Sequence, residues 1–325
     1  MAKYLVTGAA GFIGRRVTEM LCEQGHQVVG VDNLNDSYDV RMKHWRLEQL
    51  KTVSGFYFIQ RDICDTQTFT ELSAEHPDVD AVIHLAARAG VRQAGEIPGV
   101  YLQTNSAGTL NVLEWCRSSG VNKIILASTS SIYGTNPPLP TTEEADSSHP
   151  LQIYAASKKA AEVMAYVYHH LYGLDVTVFR FFTVYGPAGR PDMVMFRFAQ
   201  WVAEGKKVTV TGDGNQMRGF TFVDDIARGV IAGLRPMGYE IINLGGHETV
   251  TINDLLAMIE SRLGKKAVIE FIAKHPADVD ANWANVDKAR QLLGWEPRVS
   301  LDEGVTALVD WYIAQRSWAS QILTP

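Results

Sequence analysis

Short apolar runs alternate with helix-length amphipathic segments over the first 182 residues of the chain. The runs have the length of strands, and the segments between them carry apolar residues at helical spacing, with two such helices near residues 101–118 and 155–172. This alternation is typical of a doubly wound parallel sheet with helices on both faces, and it predicts an α/β fold. The predicted strand segments are YLV, YFIQRDI, AVIHLAA, KIILAS, DVTVFRF and QVVGVD.

The pattern changes after about Phe182, where loops become rich in Gly and Pro and strands become short, as in KVTV. One helix in this half is predicted to begin at Thr251, with Asp254 at the spacing of a capping box. We therefore predict two packed units, residues 1–182 and a smaller C-terminal α/β unit in residues 183–325. Some segments of the second unit are expected to return to the first, with a cleft between the units.

Composition and charge exclude several classes of function. The chain has 325 residues and a net charge of -6, from 30 Lys plus Arg and 36 Asp plus Glu, which argues against a nucleic acid or anionic membrane as partner. The first strand begins at Lys3, which leaves no room for a signal peptide, and no apolar run reaches membrane-spanning length. The three cysteines are widely spaced in apolar surroundings, and no metal-ligand spacing occurs. We expect a cytoplasmic protein with reduced thiols and no bound metal.

A glycine motif, TGAAGFIG, directly follows the first strand and precedes a helix. Gly8, Gly11 and Gly14 allow a tight turn and the close approach of a pyrophosphate to the start of that helix. The second strand ends at Asp32, 18 positions after Gly14, where a carboxylate can accept hydrogen bonds from an adenosine ribose and repels a ribose phosphate. The motif predicts a Rossmann-type site for NAD in preference to NADP, with a purely structural turn as the competing interpretation.

Tyr154 and Lys158 lie four residues apart in YAASK, at the start of a predicted helix, and therefore share one helix face. A neighbouring ammonium and the positive nicotinamide ring both favour the phenolate form of a tyrosine. The pair thus predicts a proton acceptor for an alcohol undergoing oxidation. A half-buried Tyr beside a surface Lys is the alternative, which the glycine motif makes less favourable.

Together these motifs resemble the extended short-chain dehydrogenase/reductase superfamily, in its nucleotide-sugar branch. The resemblance covers nearly the whole chain and rests on TGAAGFIG, Asp32, RDI, HLAA, NSAGT, STSSIYG, YAASK, FTFVDDI and LGWEP. It implies permanently bound NAD, a UDP-sugar docked under the C-terminal unit, and oxidation of the sugar C4 hydroxyl to a ketone. It also implies a homodimer formed through the helices near residues 101–118 and 155–172.

The resemblance also implies which residues bind the cofactor. These are Gly8, Gly11, Phe12, Ile13, Gly14, Asp32, Asn33, Asp62, Ile63, Leu85, Ala86, Ala87, Asn105, Tyr154 and Lys158. The first unit would then bind NAD and the second would mainly bind the UDP-sugar.

The stretch STSSIYG, residues 128–134, indicates which reaction follows the oxidation. The sugar-nucleotide 4,6-dehydratases of this branch carry Thr-Asp-Glu here, because loss of water needs a general acid and a general base. Ser130 and Ser131 occupy the acidic places, and the Glu that related decarboxylases have at Ser131 is missing too. Thr129 is left to assist Tyr154 at the C4 oxygen, which is typical of the 4-epimerases.

The phrase RFFTVYGPAGRPDM, residues 180–193, resembles the UDP-glucuronate 4-epimerases, since Thr183 stands where epimerases of neutral sugars have Asn. Hydroxyls and a guanidinium could hold the uronate carboxylate, and we expect this grip to suppress decarboxylation of the 4-keto intermediate, a β-keto acid. The family chemistry predicts a set of substrate-binding residues: Arg88, Ser130, Ser131, Thr183, Arg190, Met193, Arg218 and Asp278.

Three interpretations remain open at this stage. The favoured one is NAD-dependent 4-epimerisation of UDP-glucuronate to UDP-galacturonate, and the nearest rival is a 4-epimerase for UDP-glucose and UDP-galactose or for N-acetylhexosamines. A non-catalytic NAD-binding sensor is a third, although such proteins usually lose the Tyr and Lys.

Two of the predicted substrate-binding residues also have open questions. Arg88 could equally be a surface or dimer-face cation. Ala277 replaces the family's glycine beside Asp278.

Overall fold

The computed structural model describes residues 1–90, 93–246, 248–274 and 279–324. A seven-stranded, wholly parallel sheet forms its centre. Its strands, in their order across the sheet, are β10 (Tyr239–Leu244), β6 (Asp175–Phe181), β5 (Lys123–Thr129), β4 (Ala81–His84), β1 (Lys3–Thr7), β2 (Gln27–Asp32) and β3 (Phe56–Gln60). The doubly wound α/β prediction is confirmed, and the six predicted strands all lie in this sheet. The seventh, β10, was not predicted and enters from the second half of the chain.

Helices cover both faces of the sheet because successive strand residues point to opposite sides. Leu5 and Val6 of β1 are both fully buried, yet they belong to separate apolar clusters, one on each face. The helices of this part are α1 (Phe12–Glu23), α2 (Arg41–Lys51), α3 (Gln67–Glu75), α4 (Gln93–Glu96), α5 (Pro98–Leu102), α6 (Gly108–Ser119), α7 (Ile153–Tyr172), α9 (Val223–Ala232) and α11 (Asp287–Leu293). A π-helical turn, Gln103–Ala107, joins α5 to α6, so the helix predicted near residues 101–118 is irregular at its start.

A second group of elements packs around its own apolar core beyond the carboxyl ends of the large sheet. It contains β7 (Thr183–Tyr185), α8 (Val194–Ala203), β8 (Lys207–Thr211), β9 (Met217–Phe222), β11 (Glu248–Thr251), α10 (Ile252–Leu263), β12 (Val268–Ile272), β13 (Ala281–Asn282), α12 (Leu301–Ala314) and α13 (Arg316–Ala319). Strand β9 pairs with β7, β11 and β13, while β8 pairs only with β12 among the described strands. The predicted start of α10 is confirmed, because the Thr251 hydroxyl accepts a hydrogen bond from the Asp254 amide at 3.0 Å.

Helix α2 connects the large sheet to the C-terminal segment. The indole ring of Trp45 stacks on Trp318 and meets Trp311 edge to face, at centroid distances of 5.9 and 5.6 Å. The guanidinium of Arg41 donates to the carbonyl of Gln321 at 2.6 Å. These contacts fix α2 against α12 and α13.

Helix α7 is fixed on the sheet by a buried ion pair between Glu162 and Arg180 of β6. Both side chains are almost fully buried, and the two N–O distances are 3.0 and 2.9 Å. Although burial favours the neutral acid, the hydrogen bonds from Arg180 hold the pKa of Glu162 below its usual value. The pair therefore stabilises the fold at neutral pH, and this contribution is lost as the pH falls below the usual carboxyl range.

We expect Glu162→Gln to lower the free energy of unfolding by about 3 kcal/mol, because it leaves the buried guanidinium of Arg180 without a counter-charge. Urea denaturation followed by circular dichroism measures this free energy. Glu48→Gln is the matched control, since Glu48 pairs with Lys51 on the exposed surface of α2 and should cost less than about 0.5 kcal/mol. Equal losses in the two variants would contradict the role given to the buried pair.

No helix among the described residues has the length and apolarity needed to cross a membrane.

Candidate active site

One cavity of about 1000 Å³ runs along the carboxyl ends of the strands and into the second group of elements. It opens where the sheet order reverses, between β1 and β4, the usual place for a ligand in a doubly wound sheet. Most residues predicted from the sequence line it. They are Gly8, Gly11, Phe12, Ile13, Gly14, Asp32, Asn33, Asp62, Ile63, Leu85, Ala86, Ala87, Thr129, Ser130, Ser131, Tyr154, Lys158, Thr183, Arg190 and Met193.

The glycine turn leaves no space for side chains. Gly8 has a φ of +75°, and a Cβ there would lie 2.8 Å from the backbone nitrogen of Ala86. A Cβ on Gly14 would lie 2.1 Å from the carbonyl oxygen of Gly8. Within the described chain, no side chain caps the start of α1, so its first amides are available to an anion. This end of the cavity therefore fits a pyrophosphate.

Asp32 lies at the end of β2, beside the glycine turn. Its Oδ1 accepts a hydrogen bond from the amide of Leu34 at 2.8 Å and lies 3.3 Å from the Nζ of Lys43. Lys43 is buried and also donates to Asn35 at 3.1 Å. Lys43 was missed by the sequence analysis, because its position in α2 shows no motif spacing to Asp32.

The reactive pair lies at the start of α7. Burial raises the pKa of the Tyr154 phenol, and a hydrogen bond with Thr129 and the charge of Arg190 oppose this shift. Burial lowers the pKa of Lys158 to about 8. Its Nζ, almost fully buried, has no hydrogen-bond partner among the described residues. The net pKa of Tyr154 in the chain alone is raised, because burial outweighs the hydrogen bond with Thr129 and the charge of Arg190. The predicted tuning of Tyr154 by Lys158 together with the nicotinamide ring stays a prediction.

The hydroxyl run at the end of β5 divides into two functions. Ser128 donates to the buried Glu162 at 2.5 Å and so belongs to the support of α7. Thr129 caps the short 3-10 turn that follows, accepting from the amide of Ser131 at 3.2 Å. Ser130 accepts from the Asn282 side-chain amide at 3.1 Å. Ser130 and Ser131 thus remain on the cavity wall as neutral hydrogen-bonding groups.

Arg190 lies on the same cavity wall, in the loop after β7. Its guanidinium makes a two-pronged ion pair with Asp192, with N–O distances of 3.1 and 2.5 Å. Burial works against this charge, but the Asp192 carboxylate keeps the pKa of Arg190 above its usual value. The cavity therefore contains a permanently charged guanidinium near Tyr154.

Three predicted site residues lie outside the cavity wall. Asn105 bonds through its side chain to the backbone N–H and C=O of Arg88, at 2.7 and 2.9 Å, and to Ser157 at 2.9 Å. The Arg88 guanidinium lies 3.7 Å from Asp36. The guanidinium of Arg218 donates to backbone carbonyls, among them that of Val279 at 2.6 Å. Their direct roles stay predictions, and Asp278 lies outside the described residues.

Several wall residues were missed by the sequence analysis. Trp201 lines the cavity and also packs in the apolar core of the second group of elements, with the guanidinium of Arg197 4.6 Å from its ring centroid. No group of three or more His, Cys, Asp or Glu residues in the described ranges could hold a metal ion. The other missed wall residues include Tyr38, Lys43, Gln93, Glu96, Asp192, Thr209, Thr211, Ile272 and Asn282.

Comparisons with known proteins agree with this geometry. The UDP-glucuronate 4-epimerase of Thermodesulfobacterium geofontis is 53% identical over 313 residues, covering 96% of each chain. The crystal structure of UDP-glucuronic acid 4-epimerase from Bacillus cereus with UDP-glucuronic acid and NAD has a TM-score of 0.90 and 36% identity, covering 96% of this chain and 99% of that one. A UDP-glucose 4-epimerase from Thermotoga maritima has a TM-score of 0.90 at 31% identity, covering 97% and 99%.

The model of the NAD dependent epimerase/dehydratase family matches residues 4–245. Its match spans the glycine turn, the hydroxyl run and the Tyr154–Lys158 pair. The chain belongs to the NAD dependent epimerase/dehydratase family.

Proposed function

We propose that the protein is an NAD-dependent UDP-glucuronate 4-epimerase, which interconverts UDP-glucuronate and UDP-galacturonate through a 4-keto intermediate. The main observation is one cavity that holds both Tyr154 and Lys158. The same cavity contains Arg190 and a hydroxyl wall, which is formed by Ser130, Ser131 and Thr183. Relatives covering nearly the whole chain carry the name of this activity.

The residues present fit NAD. The glycine turn would receive the pyrophosphate, Asp32 the adenosine ribose, and the unpartnered Lys158 ammonium a ribose hydroxyl near the reacting end. When bound, NAD supplies the redox chemistry by taking a hydride from C4 and later returning it. We propose on this basis that residues 1–182 mainly bind the cofactor and residues 183–325 mainly bind the UDP-sugar.

Tyr154 moves the proton in this proposal. Its phenol takes the proton of the C4 hydroxyl during oxidation and gives it back when the ketone is reduced. Thr129, a hydrogen-bond partner of the phenol, would hold the C4 oxygen beside it. Inversion requires the keto sugar to turn its other face toward the cofactor, and a cavity of about 1000 Å³ provides space for this rotation.

The hydroxyl wall supports a uronate as substrate. Ser130, Ser131 and Thr183 offer donors without a negative charge, and Arg190 adds a guanidinium suited to a carboxylate. A carboxylate held in the plane of the neighbouring ketone does not lose carbon dioxide, because cleavage needs the C5–C6 bond perpendicular to that plane. We propose that this wall both selects the uronate and suppresses its decarboxylation.

The two rival interpretations are less well supported. An epimerase for neutral sugars would be favoured if Arg190 lay far from the reacting group, but Arg190 lines the same cavity as Tyr154, and its charge acts to lower the pKa of that phenol. A non-catalytic NAD sensor would not need Tyr154 and Lys158 in the same cavity.

We also propose that the protein is a homodimer in the cytoplasm. The two predicted dimer helices expose apolar side chains, among them Leu110, Val163 and Val167, and a second copy would cover them. Cys22, Cys64 and Cys116 all have free thiols, as expected in a reducing compartment.

The reaction itself is tested by proton NMR of the purified protein, without added cofactor, on UDP-glucuronate and on UDP-glucose separately. We expect UDP-galacturonate from the first substrate and no turnover of the second. Tyr154→Phe should lower kcat by about a thousandfold, because the proton acceptor is lost. Tyr172→Phe, on the exposed end of the same helix, should leave kcat unchanged. Turnover of UDP-glucose alone would overturn the proposal.

The wall is tested by Ser130→Ala and Thr183→Ala with the same NMR assay. We expect each change to raise KM for UDP-glucuronate by about tenfold, because a hydrogen bond to a charged group is lost, and to release some UDP-pentose. Unchanged KM with no UDP-pentose in both variants would contradict the role of the wall.

Dimerisation is tested by light scattering during gel filtration. The wild type should have about twice the chain mass of 36.0 kDa, and Val163→Glu should yield monomers because it places a charge in the apolar contact. Val268→Glu is the control, since Val268 is similarly exposed on β12. Wild-type monomers, or dimers of Val163→Glu, would refute this interface.

A further inference from the structure

Arg46 of α2 is fully buried and has no role in the site described so far. Its Nε and Nη2 donate to the carbonyl oxygen of Ala188 at 3.0 and 2.8 Å, and Nη2 also donates to that of Gly189 at 3.1 Å. Its Nη1 donates to the hydroxyl of Tyr38 at 2.6 Å and to the carbonyl of Ala10 at 3.4 Å. One guanidinium thus joins α2, the glycine turn and the loop that precedes Arg190.

The loop reached by Arg46 has a backbone that needs external support. The backbone of Ala188 has a φ of +55°, a conformation that residues other than glycine rarely adopt. Such a conformation persists only where the surroundings fix it, and Arg46 holds the Ala188 carbonyl with two of its N–H groups. Arg190 lies two residues after Ala188, so the hydrogen bonds of Arg46 fix the backbone position from which the Arg190 side chain extends.

The remaining contacts of Arg190 complete this arrangement. Its guanidinium lies 5.9 Å from the ring centroid of Tyr38, and that of Arg46 lies 5.5 Å from the same ring. Asp192 also binds this guanidinium, through two hydrogen bonds. The described residues give Arg46 no carboxylate partner, and a buried charge without one is costly unless neutral groups solvate it. The guanidinium of Arg46 receives this solvation from three backbone carbonyls and one hydroxyl.

We propose that Arg46 is a positioning residue for uronate recognition: it fixes the loop of residues 186–190 so that Arg190 faces the substrate carboxylate. This inference rests on the proposed function. Only arginine suits the position, because its planar guanidinium presents five donors in a fixed fork, whereas lysine offers a single ammonium that cannot reach all these acceptors. Arg46 and Arg190, which are 144 positions apart in the sequence, form one structural unit in this interpretation.

The test is Arg46→Lys, which keeps the charge and removes the fork. We expect KM for UDP-glucuronate to rise on the order of tenfold, because a misplaced Arg190 loses contact with the carboxylate. The inhibition constant of UDP, which lacks the uronate, should change by less than about twofold. The fraction of UDP-pentose by NMR should increase, and the content of tightly bound NAD should equal that of the wild type.

Arg15→Lys is the matched control, since Arg15 of α1 lies close to Arg46 but forms its ion pair with Glu19. It should leave both constants unchanged. If Arg46→Lys does not fold, Tyr38→Phe removes one acceptor of Arg46 while keeping the ring, and we expect KM for UDP-glucuronate to rise about threefold.

The outcomes separate the two proposals. A wild type that leaves UDP-glucuronate unchanged overturns both. Wild-type turnover with an unchanged KM in Arg46→Lys, or in Tyr38→Phe where the first variant does not fold, overturns the role of Arg46 alone. So does an equal loss of affinity for UDP, since that result would show a general effect on the pocket.

Discussion

The ion pair between Glu162 and Arg180 sets the geometry on which the rest of the site depends. Glu162 lies one helical turn after Lys158, and its carboxylate also accepts from Ser128 of β5. Helix α7 is thereby fixed along two neighbouring strands, which places Tyr154 opposite Thr129 at the strand end. The same carboxylate raises the pKa of Lys158 against the larger effect of burial. The position of the reactive pair and the pKa of Lys158 therefore both depend on the buried Glu162 carboxylate.

The other half of the site depends on contacts between distant segments. Helix α2 is fixed by the tryptophans of the C-terminal segment and holds the Arg190 loop through Arg46. Its Lys43 also reaches Asp32 in the predicted cofactor site. A single helix thus connects the adenosine end of the cavity to the proposed carboxylate end, although it contributes no reacting group. Lys43 and Arg46 act at separate ends of the cavity, so a change at one of them need not disturb the other.

The sequence predicted the local features well and the non-local ones poorly. Apolar runs and the glycine spacing are local, so six strands and the turn at Gly8 could be predicted from short windows. Strand β10 was missed because it joins the sheet from the second half of the chain. Asn282 lies 152 positions from Ser130, its hydrogen-bond partner, in a strand of two residues that has no periodicity to detect. The role of Asn105 as a cofactor ligand stays a prediction, whereas its side-chain bonds to the backbone of Arg88 and to Ser157, 52 positions away, could not be predicted from its motif.

The hydroxyls of Ser130 and Ser131 also keep the net charge low at the sugar end of the cavity. Arg190 has its charge balanced by Asp192, so a further carboxylate at residue 130 or 131 would leave that end negative and repel a uronate. Serine hydroxyls donate hydrogen bonds there without changing the net charge. An incoming carboxylate would then share Arg190 with Asp192, and the hydroxyls would supply the remaining donors. In our proposal, replacing the two acids of a dehydratase with serines removes the groups needed for elimination and makes the cavity able to accept an acidic sugar.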